Sequence, residues 1–349
     1  MKPVGSKTIR LAFSLGLILF LLLSGCSGGN GDDNSSSNPV SNSIATVFLA
    51  KENNTTATQL YGSTLDGASI VRLSGNLVSG GNVVDFAISP DGRFVAYLAD
   101  QETKGQFELY TVPVGGGTVI NISRQSGTTL KVLEFAWAPN SSRIAFRAFN
   151  PFTGNTGGNT ELFTNLTSGN GLVTVSNFSV SGNVDAFEWS PTSQLIVYTV
   201  NPITGSSLQF RLFAAPPNLE NQSFAISNIP AATNTYTIGE FQWSPNGSII
   251  AFLADINILG VNELLVAEPI INSIPVAVSG TLADGGEVVD FSWAPNNSRI
   301  AYLADQYEDE KFDLITVVPD VNSLNPNPDP RLISTNIIGD VIDFAWAPD

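Results

Sequence analysis

A short motif, in which an aromatic strand runs into a proline turn, occurs six times along this chain. The copies read VDFAISPDG, LEFAWAPNS, DAFEWSPTS, GEFQWSPNG, VDFSWAPNN and IDFAWAPD. Their prolines, from Pro90 to Pro348, are 49 to 54 residues apart, and all five tryptophans occupy one motif position, which Ile88 fills in the first copy. Self-similarity at such a period is typical of propellers and solenoids. The chain is therefore expected to fold as a repeated supersecondary unit.

Each unit has the pattern of a four-stranded sheet. In the unit that starts at Val288, alternating or short apolar runs predict strands over 288–293, 299–303, 311–318 and 331–334, with no sustained helical period. The proline after the first strand cannot donate to a sheet ladder, and the Asn, Asp or Gly beside it favours a tight turn. Four short strands per unit indicate a propeller blade. A parallel β-helix is the alternative, but its coils are usually shorter.

The two chain ends complement each other. Residues 44–78 match the second, third and fourth strands of a unit, whereas residues 341–349 match only a first strand. Placed side by side, they would complete one blade and leave no open sheet edge. We therefore predict an all-β fold, a six-bladed β-propeller over residues 44–349, with the ring closed by the C-terminal strand joining the N-terminal blade.

The first 43 residues have the features of an exported lipoprotein. Basic residues precede an apolar run over 11–23 that is too short to span a membrane. The run ends in Leu-Ser-Gly before Cys26, which resembles a bacterial lipobox. We predict a signal peptide over 1–25, lipidation of Cys26 and a flexible Ser/Asn/Gly tether over 26–43. Ser27 after the cysteine is similar to lipoproteins sorted to the outer membrane, which implies a lipid-anchored protein of the bacterial cell envelope.

The charge balance limits the classes of partner that the chain is expected to bind. The sequence has 15 basic and 31 acidic residues, a net charge of −16, and loss of the three basic residues of the predicted leader would leave 12 against 31, or −19. An acidic chain without a basic cluster repels phosphate backbones, so we expect no nucleic-acid partner.

The motif resembles a known repeat family. The pattern F-x-W-[SA]-P-[DN]-[GS]-x-x-[IV]-A-[FY]-x-A-D is similar to the repeat of TolB-type propellers, which also occurs in the propeller domains of prolyl-oligopeptidase-like enzymes. The resemblance covers nearly all of residues 44–349 and implies a platform for protein partners. TolB has an α/β domain ahead of its propeller that has no counterpart here, so its role in its envelope complex is not implied.

Catalytic motifs are sparse. The chain contains no histidine, which excludes the usual Ser-His-Asp and Cys-His nucleophiles and histidine-bound zinc. It also contains no G-x-S-x-G nucleophile elbow. We therefore expect that the protein is not an enzyme.

Two sets of carboxylates are the candidate binding residues. The first set lies just before each motif phenylalanine and comprises Asp85, Glu134, Asp185, Glu240, Asp290 and Asp343. If first strands line a central channel, these residues could bind Ca²⁺ or a basic peptide there. The alternative interpretation is structural: each carboxylate accepts hydrogen bonds from nearby backbone N–H groups, and this arrangement is repeated in every unit. No other cofactor is expected.

The second set ends the second strand of three units and comprises Asp100, Asp255 and Asp305. Strand alternation places both sets at the blade end that also has the long variable loops, where binding tends to occur. We expect a monomeric, non-catalytic scaffold that uses this acidic, loop-rich face to bind an envelope protein or peptide. The alternatives are a carboxylate- or cation-dependent envelope enzyme acting on polysaccharide, and a Ca²⁺-stabilised surface adhesin.

Overall fold

The structure is a computed structural model that describes residues 43–52, 56–124, 130–152, 158–176, 182–202, 211–227, 236–271, 273–321 and 329–348. Over these residues the chain is built from β-strands and contains no helix, so it has no helical segment that could cross a membrane. The strands form six consecutive antiparallel sheets, which we call blades 1 to 6. The predicted signal peptide and nearly all of the predicted tether, including Cys26, lie outside the described residues.

Blade 1 has three strands and each other blade has four, all paired in chain order. The strands are β1 (Ile44–Lys51), β2 (Thr58–Thr64) and β3 (Ile70–Arg72) in blade 1; β4 (Val83–Ile88), β5 (Phe94–Ala99), β6 (Glu108–Pro113) and β7 (Ile120–Asn121) in blade 2; β8 (Lys131–Trp137), β9 (Ile144–Asn150), β10 (Asn159–Asn165) and β11 (Val173–Thr174) in blade 3; β12 (Gly182–Trp189), β13 (Ile196–Pro202), β14 (Arg211–Ala215) and β15 (Phe224–Ala225) in blade 4; β16 (Ile238–Trp243), β17 (Ile250–Ala254), β18 (Glu263–Ala267) and β19 (Val276–Ala277) in blade 5; and β20 (Val288–Trp293), β21 (Ile300–Ala304), β22 (Asp313–Val317) and β23 (Arg331–Leu332) in blade 6. The predicted all-β fold and its blades are therefore confirmed, with strand ends shifted by one or two residues.

A leucine–serine hydrogen bond recurs in all six blades. A serine just after the outer strand accepts a bond at its Oγ from the backbone N–H of a leucine in the strand next to the outer one. The pairs are Leu60–Ser74 (3.1 Å), Leu109–Ser123 (2.9 Å), Leu162–Ser176 (3.1 Å), Leu212–Ser227 (3.1 Å), Leu264–Ser279 (3.3 Å) and Leu314–Ser334 (3.2 Å). Because blade 1 shares this bond, its three strands correspond to the second, third and fourth strands of a complete blade.

Consecutive blades are joined by apolar clusters and by the motif tryptophans. Five hydrophobic clusters each combine residues of two neighbouring blades, from blades 1 and 2 to blades 5 and 6. Each indole Nε1 donates to a backbone carbonyl in the motif of the preceding repeat. These bonds are Trp137–Ala87 (3.0 Å), Trp189–Ala136 (3.1 Å), Trp243–Glu188 (3.4 Å), Trp293–Gln242 (3.4 Å) and Trp346–Ser292 (3.0 Å). The repeated tryptophan is thus a connector between blades.

The proline turns also link neighbouring blades. The residue after the Asp, Asn or Thr of each described turn has positive φ, and it is a glycine at Gly92 and Gly247 but a polar residue elsewhere. In the three polar cases the side chain accepts a bond from the backbone N–H of the preceding blade's turn. These bonds are Asp91–Ser141 (3.0 Å), Asn140–Ser193 (3.1 Å) and Asn246–Asn297 (2.7 Å). The side-chain bond offsets the strain of a non-glycine residue in the left-handed region.

The C-terminal segment differs from its prediction. Residues 341–348 have the backbone contacts of a first strand towards blade 6, because Val341 N donates to Phe312 O at 2.9 Å and Trp346 donates to Ser292. They form no strand, however, since the described residues show no ladder between this segment and β1. Strand β1 remains an edge of its sheet, and Ile342 is 90% exposed. The predicted closure of the ring is therefore not observed.

Candidate functional site

The second carboxylate set has a structural role that the sequence reasoning did not predict. Asp100, Asp255 and Asp305 are buried, and each spans two backbone segments. Asp100 Oδ1 accepts the N–H of Asn82 at 2.5 Å, and its Oδ2 accepts the N–H of Gly105 at 2.8 Å. These carboxylates therefore tie the start of the first strand to the loop after the second strand.

The other two aspartates repeat this arrangement at the same spacings. Asp255 accepts the N–H of Thr237 and, at 2.9 Å, that of Gly260. Asp305 accepts the N–H of Glu287 at 2.6 Å and that of Glu310 at 3.1 Å. Both aspartates therefore contact a residue 18 positions earlier and one five positions later, as Asp100 does.

Electrostatics reflect these bonds. Burial raises the pKa of Asp100 and Asp255, but the backbone N–H donors, joined at Asp100 by Lys104 at 3.2 Å, outweigh burial and lower the pKa of both below the ordinary value of 3.8. Both residues are therefore ionised at neutral pH and engaged internally.

Three loops share one backbone conformation because of these aspartates. We call residues 100–107, 255–262 and 305–312 the cradled loops. Each has a positive φ five positions after its aspartate, at Gly105 (80°), Gly260 (81°) and Glu310 (63°). In each loop, the N–H six positions after the aspartate also donates to the carbonyl three positions after it, at 3.0 Å, 3.0 Å and 3.1 Å. The tip residues of these loops, by contrast, are Thr103-Lys104, Ile258-Leu259 and Glu308-Asp309. The same backbone support is thus repeated in three loops, and the side chains at their tips are polar or basic, aliphatic, and acidic.

All members of the first carboxylate set except Asp343 lie at β-bulges. The register of the first strand shifts beside the motif acid in each of blades 2 to 6. Bulges re-aim side chains and increase local twist. Asp85 and Asp343 accept the N–H of the following phenylalanine at 2.8 Å each, which agrees with the structural reading of this set. Burial raises the pKa of Asp85, and the N–H of Phe86 opposes this rise.

Two other members of the first set have side-chain partners of their own. Glu134 pairs with Arg147 at 2.7 Å, and Glu240 accepts from Gln242 Nε2 at 2.9 Å. Asp185 lies within the bulge of β12, and Asp290 lies opposite Leu303. Over the described part of the chain, no three His, Cys, Asp or Glu side chains are close enough together to hold a metal ion.

Glu188 was not among the predicted site residues. It occupies the motif position between Phe187 and Trp189 in β12, where the other copies have Ala, Gln or Ser. Burial raises its pKa to about 8; a backbone hydrogen bond from Trp243 opposes this rise, and the charge of Glu240 adds to it. The acid at this otherwise neutral position was the available sequence signal, but its burial depends on tertiary packing.

The blades and the inter-blade tryptophans define the class of this protein: an all-β repeat protein with six antiparallel sheets, which is consistent with a six-bladed propeller. No protein-family model matches the chain, and a search of curated proteins found no match.

The solved structures that the chain matches include TolB proteins. TolB from Acinetobacter baumannii is 17% identical with a TM-score of 0.37, and the match covers 76% of this chain and 58% of that one. A putative TolB from Agrobacterium tumefaciens is 12% identical with a TM-score of 0.39, and the match covers 76% and 83% of the two chains. The chain thus spans less than two thirds of the length of the Acinetobacter protein.

Peptidases are also among these structural neighbours. A puromycin-hydrolysing peptidase from Mycobacterium tuberculosis is 9% identical with a TM-score of 0.46, and the match covers 75% of this chain and 42% of that one. Prolyl endopeptidases match as well, in each case through the propeller domain. The expectation that the chain is not an enzyme was therefore wrong: the absence of catalytic motifs does not exclude an enzyme, because peptidases are among the structural neighbours.

Proposed function

We propose that this protein is a scaffold that binds a protein or peptide of the bacterial envelope through the blade end that has the cradled loops. The observation that carries the proposal is the contrast between their shared backbone and their different tips. Structural repetition alone would produce similar tips as well as similar supports. Variable side chains on rigidly held loops are instead typical of recognition surfaces.

The chemistry of the tips favours a polypeptide ligand. Ile258 and Leu259 are 61% and 60% exposed, whereas Ile256 of the same loop packs partly buried against the hydrophobic core. Glu308 and Asp309 are exposed carboxylates on the next blade. A surface that combines apolar and charged positions matches the mixed side chains of a peptide, and the acidic balance of the chain disfavours nucleic acid.

The membrane anchor is part of this proposal. Lipidation at Cys26, after removal of residues 1–25, would place the blades beyond a tether over 26–43, at the outer membrane. The support is the order of basic residues, apolar run and small residues before the single cysteine. Wild-type protein should partition into detergent and with membranes, whereas Cys26→Ser should not. Equal partitioning of both forms would contradict the anchor.

Ring closure is also proposed, with residues 341–349 as the missing first strand of blade 1. Strand β1 is the edge of its sheet, and five neighbouring pairs of blades are already joined by an apolar cluster. Deletion of residues 341–349 should lower the midpoint of urea unfolding, because it removes the Trp346 contact as well as the closing strand. Hydrogen exchange separates the two effects: closure requires slow exchange of β1 amides in the full chain and fast exchange after the deletion.

The function is tested by cross-linking in the native membrane. Wild-type protein with a cleavable cross-linker should yield a discrete partner band identified by mass spectrometry, and the purified partner should then bind the purified propeller directly. A variant with all three loop tips replaced by Gly-Ser should lose this binding while keeping its unfolding midpoint. Full binding by that variant would refute the assignment to this blade end.

A further inference from the structure

The cradled loops of blades 5 and 6 lie on either side of one connecting segment, residues 285–288. On the blade 5 side, Asn262 O accepts the N–H of Val288 at 2.9 Å, and Asn262 Nδ2 lies 3.4 Å from Glu287 Oε2. On the blade 6 side, Asp305 accepts the N–H of Glu287 at 2.6 Å. The same short stretch of chain therefore fixes both loops relative to each other.

The tip of the blade 6 loop also contacts this segment. Gly285 has a φ of 88°, and a Cβ atom placed on it would come within 3.1 Å of Asp309 Oδ1. The Asp309 carboxylate thus lies directly over the connecting segment. The connecting segment therefore hydrogen-bonds to the end of the blade 5 loop, whose tip is aliphatic, and contacts the acidic tip of the blade 6 loop.

The charges around this connecting segment have one predominant sign. Besides Glu308 and Asp309, the stretch contains Glu287 and the exposed Asp284, and Lys311 is the one basic residue within the cradled loop of blade 6. The corresponding tip on blade 2 instead contains a basic residue, Lys104, which pairs with Asp100 of its own loop. Among the three cradled loops, only those of blades 5 and 6 are on neighbouring blades, and one has an apolar tip and the other an acidic tip.

We infer that Ile258, Leu259, Glu308 and Asp309 form a docking site for a basic, amphipathic peptide segment, a deepening that rests on the proposed function. Aliphatic or aromatic side chains of the ligand pack on the isoleucine–leucine tip and remove it from water. Lysine or arginine side chains a few residues away pair with the two carboxylates, which select the sign of the ligand and its orientation. The rigid support lowers the ordering cost on the protein side.

Three fluorescein-labelled dodecapeptides test the site by fluorescence anisotropy. One alternates Lys and Leu, one replaces every Lys by Glu, and one replaces every Leu by Ser. The Lys/Leu peptide should bind the wild-type protein at least tenfold more tightly than either of the others. Equal binding of the Lys/Ser peptide would overturn the apolar contribution, and equal binding of the Glu/Leu peptide would overturn the acidic one.

Paired variants locate the binding. Ile258→Ser with Leu259→Ser should weaken the Lys/Leu peptide at least tenfold at all salt concentrations. Glu308→Gln with Asp309→Asn should weaken it three- to tenfold at low salt and less at 1 M salt, where the Debye length falls to about 3 Å. The matched control is Leu219→Ser with Glu220→Gln, an exposed apolar–acidic pair on the loop between β14 and β15. The control should bind like the wild type.

The outcomes separate this inference from the proposed function. If the site variants and the control all bind the Lys/Leu peptide equally, or the wild type binds none of the peptides, the docking site is refuted. The proposed function then still stands or falls on the cross-linked partner. If that partner is found and binds the Ile258/Leu259 variant as tightly as the wild type, scaffold function survives and this site does not.

Discussion

Replacement of Glu188 by glutamine should stabilise the folded protein at neutral pH. The side chain lies in β12, in the first strand of blade 4, where burial raises its pKa to about 8, a Trp243 backbone hydrogen bond opposes the rise, and the Glu240 carboxylate adds to it. A glutamine has almost the same shape and can be buried without ionising. The substitution therefore isolates the free energy of burying an acid at this position.

The sign and size of the effect follow from proton linkage. The ordinary pKa of the group is 4.5, so between that value and about 8 the unfolded chain releases a proton that the folded chain retains. Stability contributed by Glu188 is then fully present below the unfolded pKa and falls as the pH rises through this window. At about 1.4 kcal/mol per pH unit, the loss at pH 7 reaches roughly 1 to 3 kcal/mol after allowance for partial solvent contact. Glu188→Gln should recover that amount at pH 7 and almost nothing at pH 4.

Urea unfolding at pH 4, 5.5 and 7 measures this difference. The wild type, Glu188→Gln and the control Glu220→Gln, whose carboxylate is exposed, should have the same m-value. The midpoint difference between Glu188→Gln and wild type should grow steadily with pH, whereas the control should stay level. A gain that is equal at all three pH values, or a loss at pH 7, would refute a burial-raised pKa at Glu188.

Three further substitutions test the repeated contacts. Asp255→Asn should cost about 1.5 to 3 kcal/mol of unfolding free energy at pH 7, because one charge-assisted backbone bond is lost. The pKa of Asp255 is lowered in the folded state, so this cost should shrink as the pH falls through that pKa. Urea titrations at pH 7 and 2.5 measure the difference. Trp189→Phe should cost about 1 to 2 kcal/mol through loss of the bond to Ala136 and of ring volume, and an unchanged urea midpoint would contradict a connector role. Ser141→Ala and Ser141→Gly both lose the bond to Asp91, but only alanine keeps the strain at a φ of 60°, so alanine should melt lower by an amount equivalent to about 1 kcal/mol.

Most of the strand order could be predicted because its signals are local. The motif at Val288 and its turn determine where a strand ends and reverses, and the observed β20 begins and ends where predicted. The serine after each outer strand was also visible, since Ser74, Ser123 and four further serines follow a Leu, Ile or Val at matching places in every unit. The role of these serines could not be predicted, because the hydrogen bond reaches a leucine N–H about 14 residues earlier, in the strand next to the outer one.

Interactions across the sheet explain what could not be predicted. Asp305 was a candidate ligand from its position at a strand end, but its carboxylate is used by backbone groups that meet only when β20 and β21 pair. The pKa of Glu188 depends in the same way on the approach of blade 5. Closure was predicted from the complementary chain ends and is not observed; it would require residues from opposite ends of the chain to become neighbours.

Repetition itself provides the remaining guide to function. A residue that recurs in most units, such as the motif tryptophan in five of the six copies, indicates a contact between blades, and each of these tryptophans makes the same inter-blade hydrogen bond. The loop tips are informative for the opposite reason, since their supports recur and their side chains do not. Ile258 and Leu259 form no part of the repeated pattern and remain more than half exposed, so the blade contacts give no reason for them. The proposed docking of a peptide, beside the carboxylates of blade 6, would supply such a reason.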